Sequence, residues 1–248
     1  MKRIYINDFG IGANLDCDAV PAFKSAIGTA SEYTEPCEII FKQGVYNAYL
    51  SELSSLDIHV SNTIAEGNDR KKGECNFIKR NTPFLFDGLS DIVIDGCGSL
   101  IKSHGKMTQI ILNNCENITF KNISFDYVNP TVTEMTVVAV GENYLDCRIS
   151  DDYPYRIVDE KIVWYGNGFE FSTGISQLFD GKSGFTWRYP SPLEDANARY
   201  EELSHGLVRL YFSPNGSGDN PYGAKLGYVF QMRDPVRDEC CFIHHSIQ

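Results

Sequence analysis

Between Phe84 and Asp126 the apolar positions fall in short alternating runs, broken every few residues by Asp, Asn or Gly. Alternation with a period of two is the mark of a strand with one face buried. The runs also repeat. Phe86 falls over Leu112, Asp91 over Asn117, Ile92 over Ile118, Ile94 over Phe120 and Gly96 over Asn122, always 26 residues apart. A repeat of that length, made of short strands and tight polar turns with no helical period inside it, predicts a solenoid of stacked coils. The fold class expected is therefore all-β, a right-handed parallel β-helix. Ile92, Ile94, Ile118, Phe120, Ile123 and Phe125 point inward, and Cys97 and Cys115 are expected to join that stack.

The pattern changes on either side. At the start, Ile4–Ile6 reads as a strand and Asp8–Asn14 as a Gly-rich turn. Val20, Phe23 and Ile27 then share one helical face, with Pro21 in the first turn and Asp16 or Asp18 placed to cap it. The spacing predicts a helix over about 18–30. Lying over the open edge of the first coil, such a helix would cap the solenoid. CEIIFKQGVYNAY reads as strand, turn, strand, and the polar stretch Ser61–Glu74 as an exposed loop. From Tyr127 the repeat stops. Val137–Val140, Leu145–Ile149, Lys161–Tyr165, Gly168–Ser172 and Leu207–Phe212 look like antiparallel strands, whereas Pro190–Glu202 is irregular, with room for a short helix. Tyr228–Met232 leads back. Three segments result: a cap with the first coils over 1–126, an inserted antiparallel β-barrel-like subdomain over 127–230, and a return to the β-helix over 231–248.

Composition narrows the function. With 22 Lys+Arg against 33 Asp+Glu, a formal charge of −11 disfavours nucleic acid and anionic membrane as partners and suits a neutral ligand such as a sugar. No apolar run approaches the roughly 18–20 residues of a membrane span. The eight Cys form no regular framework, and the start MKRIYINDFG carries no secretory pattern, so a reduced, cytoplasmic protein is expected.

Candidate chemistry is sparse. Cys240, Cys241, His244 and His245 are adjacent in pairs, so on a strand they point to opposite faces and cannot converge on one metal ion. The acidic pairs Asp151–Asp152, Asp159–Glu160 and Glu201–Glu202 read as solvated turns of the insertion. Asp126 closes a coil just where the insertion departs; it is either a turn residue or part of a polar groove. His104, beside Gly105, is either a turn residue or a hydrogen-bond donor to a sugar. Tyr127, Trp164 and Trp187 could stack on sugar rings or fill a core. No metal site and no cofactor are expected.

The opening DFG…DCDAVPAF resembles the N-terminal cap of the pectin-lyase-like β-helix superfamily. A closer resemblance runs through Phe84–Pro130, in the turn Ile94-Asp95-Gly96-Cys97-Gly98-Ser99, in His104-Gly105-Lys106-Met107, and in the coil ENITFKNISFD followed by Pro130. Ser61-Asn62, Met232-Arg233, Arg237 and His245 fit the same pattern, which is similar to that of glycoside hydrolase family 110. Those are exo-acting α-1,3-galactosidases, known for removing the terminal galactose of the blood-group B antigen. The resemblance implies inverting hydrolysis of a terminal α-linked galactoside without metal, one carboxylic acid protonating the leaving oxygen while carboxylates activate water. In the family the aspartates that do this lie in later coils, in Asp-Ala-Thr and Met-Asp-Asp-Ala elements that this chain lacks, so no residue here is assigned to catalysis. The resemblance offers Asn62, His104, Asp126, Arg237 and His245 as residues lining the sugar site. Phe242–Gln248 matches only the first half of a coil, so the chain is expected to be an N-terminal portion, inactive alone, whose partner is the missing remainder of the β-helix. A carbohydrate-binding or purely structural β-helix protein is the alternative.

Overall fold

The computed structural model describes residues 1–58, 78–188, 190–216, 219–235 and 242–245. The chain forms two compact units, one of Met1–Val128 with the strand Phe242–His245, the other of Asn129–Pro235. In the first unit β1 (Lys2–Tyr5) leads through a 3-10 turn to α1 (Val20–Ser31), followed by β2 (Cys37–Ile40), β3 (Val45–Tyr49), β4 (Ser54–Ile58), β5 (Ile78–Thr82), β6 (Phe84–Asp87), β7 (Ser90–His104), β8 (Ile110–Asn113) and β9 (Glu116–Tyr127). The second unit holds β10 (Val132–Val140), β11 (Tyr144–Arg148), β12 (Tyr155–Val158), β13 (Lys161–Gly166), β14 (Phe169–Phe171), β15 (Ser176–Asp180), β16 (Thr186–Arg188), β17 (Arg199–Ser204), β18 (Leu207–Tyr211) and β19 (Tyr228–Arg233). β20 (Phe242–His245) returns to the first.

Strands of the first unit pair in parallel, layer upon layer. One sheet runs β1, β2, β7, with β3 beside the second half of β7 and β9 on its other edge; a second runs β6, β8, β20. Phe84 faces Ile110 and Ile92 faces Ile118, so both sheets advance by the same 26-residue step. β7 and β9 turn corners at polar residues in the left-handed region, Asp91, Asn117 and Asn122 among them, a conformation that Asn and Asp tolerate better than other side chains. Their side chains bond from layer to layer: the Asn117 amide donates to Asp91 at 3.0 Å, Asn122 to Asp95 at 3.0 Å, and Asn113 to Asp87 at 2.6 Å.

The register departs from a uniform repeat at one place. After Asp95 faces Lys121, Ser99 faces Ile123, so Gly96-Cys97-Gly98 bulges out of β7. A Cβ at Gly96 would come within 2.5 Å of the Asn122 carbonyl oxygen, so only glycine lets the next layer close in. Cys97, expected in the core, is exposed at φ 50 in this bulge, because the extra residues turn its side chain outward. Cys115 does pack against the core. Ile92 and Ile94 are fully buried, whereas Ile118 and Phe120, one layer on, are only partly so. α1 covers the core with Val20, Ala22, Phe23, Ala26, Ile27 and Ala30, and the Phe23 ring stacks on Phe84 at 4.5 Å. Ala19 occupies the N-cap position, and Asp18 accepts the Val20 amide from just before it.

The second unit is antiparallel. Seven strands run in the order β16-β15-β19-β10-β11-β18-β17, and β12-β13-β14 form a separate sheet. Both contribute to one core: Trp164 and Ile162 from the smaller sheet meet Leu145, Val208, Leu210 and Phe230 from the larger, all fully buried. Two expectations change here. Residues 190–202 hold turns and then β17, with no helix; Tyr200 alternates inward between exposed neighbours and seals the core. Tyr228–Met232 lies within β19, which sits between β10 and β15 in the seven-stranded sheet.

Candidate functional site

β3, β7 and β9 end side by side, and strand alternation sorts their last residues onto two faces. Tyr46, Ala48, Ile101 and Ser103 are buried, so Asn47, Tyr49, Lys102, His104 and Asp126 share the outer face. The register aligns Asn47 with Lys102 and Lys102 with Asp126, and sets Tyr49 opposite His104. The imidazole of His104 stacks on the Tyr49 ring at 4.2 Å, with the planes 22° apart.

Hydrogen bonds define the state of this cluster. The Asn47 amide nitrogen donates to the Leu15 carbonyl at 2.9 Å, which turns its Oδ1 toward His104 Nε2, 2.8 Å away. Nε2 must therefore carry a proton. Burial, helped by the charge of Lys102 and opposed by Asp16 and Asp18, pulls the His104 pKa below its ordinary value, which favours the neutral ring with its proton on Nε2. The Tyr49 hydroxyl donates to Asp16 at 3.0 Å. Burial and this carboxylate both raise the Tyr49 pKa, so the phenol stays protonated. Asp18 bonds the backbone N–H groups of Val20 and Tyr49 and the Ser51 hydroxyl, tying the start of α1 to the end of β3. Asp126 accepts the amide of its neighbour Tyr127 at 2.8 Å, and the Tyr127 hydroxyl donates to the Met107 carbonyl.

Of the residues singled out from the sequence, the structure places His104 and Asp126 on one face of one sheet. His245 stands on β20 opposite Asn113, in the other parallel sheet. Asn62 and Arg237 lie outside the described residues. His104 ends a strand, and its ring is held in place by Asn47 and Tyr49. Asp16, Asp18, Asn47 and Tyr49 were missed as its neighbours. Asn47 and Tyr49 stood at the outer positions of an alternating strand, but nothing local says that residue 104 pairs with residue 49. The row offers recognition chemistry: a ring face, a neutral imidazole and several carboxylates, suited to a hydroxyl-bearing ligand.

Comparison with known proteins adds the second line of argument. Residues 133–216 match the family model of the GLAA-B beta-barrel domain I. The chain is 36% identical to alpha-1,3-galactosidase A of Bacteroides thetaiotaomicron over 212 residues, 85% of this chain. The chain is homologous to the α-1,3-galactosidases of glycoside hydrolase family 110. Similarity to family members elsewhere covers nearly all of it: 27% identity to alpha-1,3-galactosidase A of Streptomyces avermitilis over 94% of the chain, and 28% to alpha-1,3-galactosidase B of Bacteroides thetaiotaomicron over 99%. The chain spans only 35% of the first of these galactosidases and 38% of the other two.

Proposed function

We propose that this chain is the N-terminal portion of a glycoside hydrolase that releases terminal α-linked galactose with inversion, and that it is inactive alone. The observation that carries the reading is homology to alpha-1,3-galactosidases along the whole chain, through both the parallel strands and the antiparallel unit. The parallel strands are the first coils of a parallel β-helix; equal 26-residue steps in two sheets support this, and parallel crossovers take the right hand almost without exception. α1 is its cap. Within this reading the row of His104, Tyr49 and Asp126 forms one wall of the sugar site, with Asn62, Arg237 and His245 as further candidates. The acid and base that cleave the glycosidic bond come from later coils that the chain does not contain. The outer edge of β9 has no paired strand among the described residues, and the partly exposed Ile118 and Phe120 beside it suit a further coil stacked there.

The test is galactose release from an α-1,3-linked galactobioside. This chain alone is expected to give none. A hybrid in which it replaces the matching N-terminal part of the Bacteroides thetaiotaomicron alpha-1,3-galactosidase A is expected to turn the substrate over. Turnover by the chain alone would overturn the placement of the catalytic carboxyls elsewhere. A folded hybrid without activity would overturn the glycosidase reading.

A further inference from the structure

We propose that the outer face of the seven-stranded sheet carries a separate binding site for a single hydroxyl-rich ring, the chemistry of a neutral monosaccharide. A cavity of about 130 Å³ opens there, lined by Val132, Ile175, Ser176, Gln177, Arg188, Gln231 and Arg233. It lies wholly within the antiparallel unit.

Four strands build one polar row beneath it. Arg188 on β16 faces Gln177 on β15, Gln177 faces Gln231 on β19, and Gln231 faces Glu134 on β10. The side chains follow the same order. Gln177 donates to Gln231 at 2.8 Å, and Gln231 donates to Glu134 at 2.6 Å. Their strand neighbours Leu178, Phe230, Met232 and Met135 are fully buried on the opposite face, so the row stands on a packed base and its geometry is fixed in advance. Ser176 contributes to the cavity wall, while its side chain belongs to the inner face of β15 with Leu178.

The mixture of groups selects the ligand. Arg188 and Arg233 in the lining supply only donors and oppose a cation; Glu134, bonded to Gln231 at the end of the row, supplies only acceptors and offsets part of their charge; the two amides supply both. A sugar hydroxyl donates and accepts at once, and neighbouring hydroxyls match the paired atoms of planar amide and guanidinium groups. Val132, 46% exposed, and Ile175 give the C–H face of a ring an apolar surface. Drug-sized pockets run to roughly 300–1,000 Å³, so this cavity suits one ring and not a chain. The site uses no carboxyl of the hydrolytic reading and stands or falls apart from it.

Saturation-transfer NMR and titration calorimetry on the whole chain test it, with methyl α-galactoside, methyl α-glucoside and glutarate as probes. At least one glycoside is expected to bind with a dissociation constant of about 1–10 mM, as one ring with few contacts allows. Arg188→Ala and Gln177→Ala should each weaken it about tenfold, while Lys182→Ala in the β15–β16 turn leaves it unchanged. Arg188 is exposed on the outermost strand, so its variant keeps the fold, as an unchanged circular dichroism spectrum would show. Neither glycoside binding up to about 50 mM, affinity unmoved by both substitutions, or preference for glutarate would each overturn the proposal.

Discussion

The two units solve the same problem, an apolar strand face that must be covered, in opposite ways. The antiparallel unit covers its own: strands from two sheets bury Trp164, Leu145, Leu210 and Phe230 completely. The parallel unit covers each layer with the next. Ile92 and Ile94 are buried because β9 lies beside β7, while Ile118 and Phe120 on β9 remain partly exposed. Closure is a property of the whole sheet pair in one case and of the nearest neighbour in the other, as expected where stability is a sum of adjacent repeats.

That contrast can be broken by truncating one aromatic in each place. Phe230→Ala, in the closed core, is expected to cost about 3–5 kcal/mol in denaturant unfolding. Phe120→Ala, on β9 at the open edge of its sheet, should cost about 1–2 kcal/mol, since less area leaves water on folding. Equal losses would mean that the outer layer is as well covered as the closed core. Hydrogen exchange read by mass spectrometry sharpens the same point: β9 amides should exchange faster than those of β10 and β19.

A middle-sized effect belongs to the corners of the parallel unit. Asn117→Ala removes both the bond to Asp91 and a residue that tolerates φ 53, and should cost about 1–2 kcal/mol; Asn117→Gly should recover part of it. If alanine and glycine behave alike in thermal unfolding, backbone strain is not what selects Asn there.

The smallest effects are pH-dependent. Asn122 first, then the Cys97 amide and Lys121, lower the Asp95 pKa from 3.8 to about 2. The folded state therefore binds this proton more weakly than the unfolded chain. The stabilisation is complete above about pH 3.8 and is lost as pH falls through about 2, and Asp95→Asn should remove that part of the acid dependence. His104 is also lowered, from 6.5, by burial first. Folding therefore weakens as pH falls below 6.5, because the unfolded chain takes up the proton first. An imidazole C2–H titration by NMR with a midpoint at or above 6.5 would contradict the neutral ring held by Asn47.

Much of the parallel unit could be read before folding. Ile92 and Ile118, or Asp91 and Asn117, declare their partnership by repeating at one interval, and the corners declare themselves by residue type. The candidate rows could not. His104 stands out beside Gly105 and within a family-like element, but its partners Asn47 and Tyr49 come from the layer before, which the 26-residue repeat does not reach. Gln177, Gln231 and Glu134 carried no local signal at all.

The sequence by itself determined the elements whose cause is local: the alternation that makes strands, the Asn and Asp that turn corners, the amphipathic face of α1 and the 26-residue step. Tertiary structure alone decided which residues meet. It placed the bulge at Gly96-Cys97-Gly98, set β19 between β10 and β15, and joined Glu134 to Gln231 across 97 positions of chain. The reason is physical. Strand period and turn preference act over a few residues, whereas the pairing of distant strands follows from how a whole layer or core closes, and no short segment contains that information.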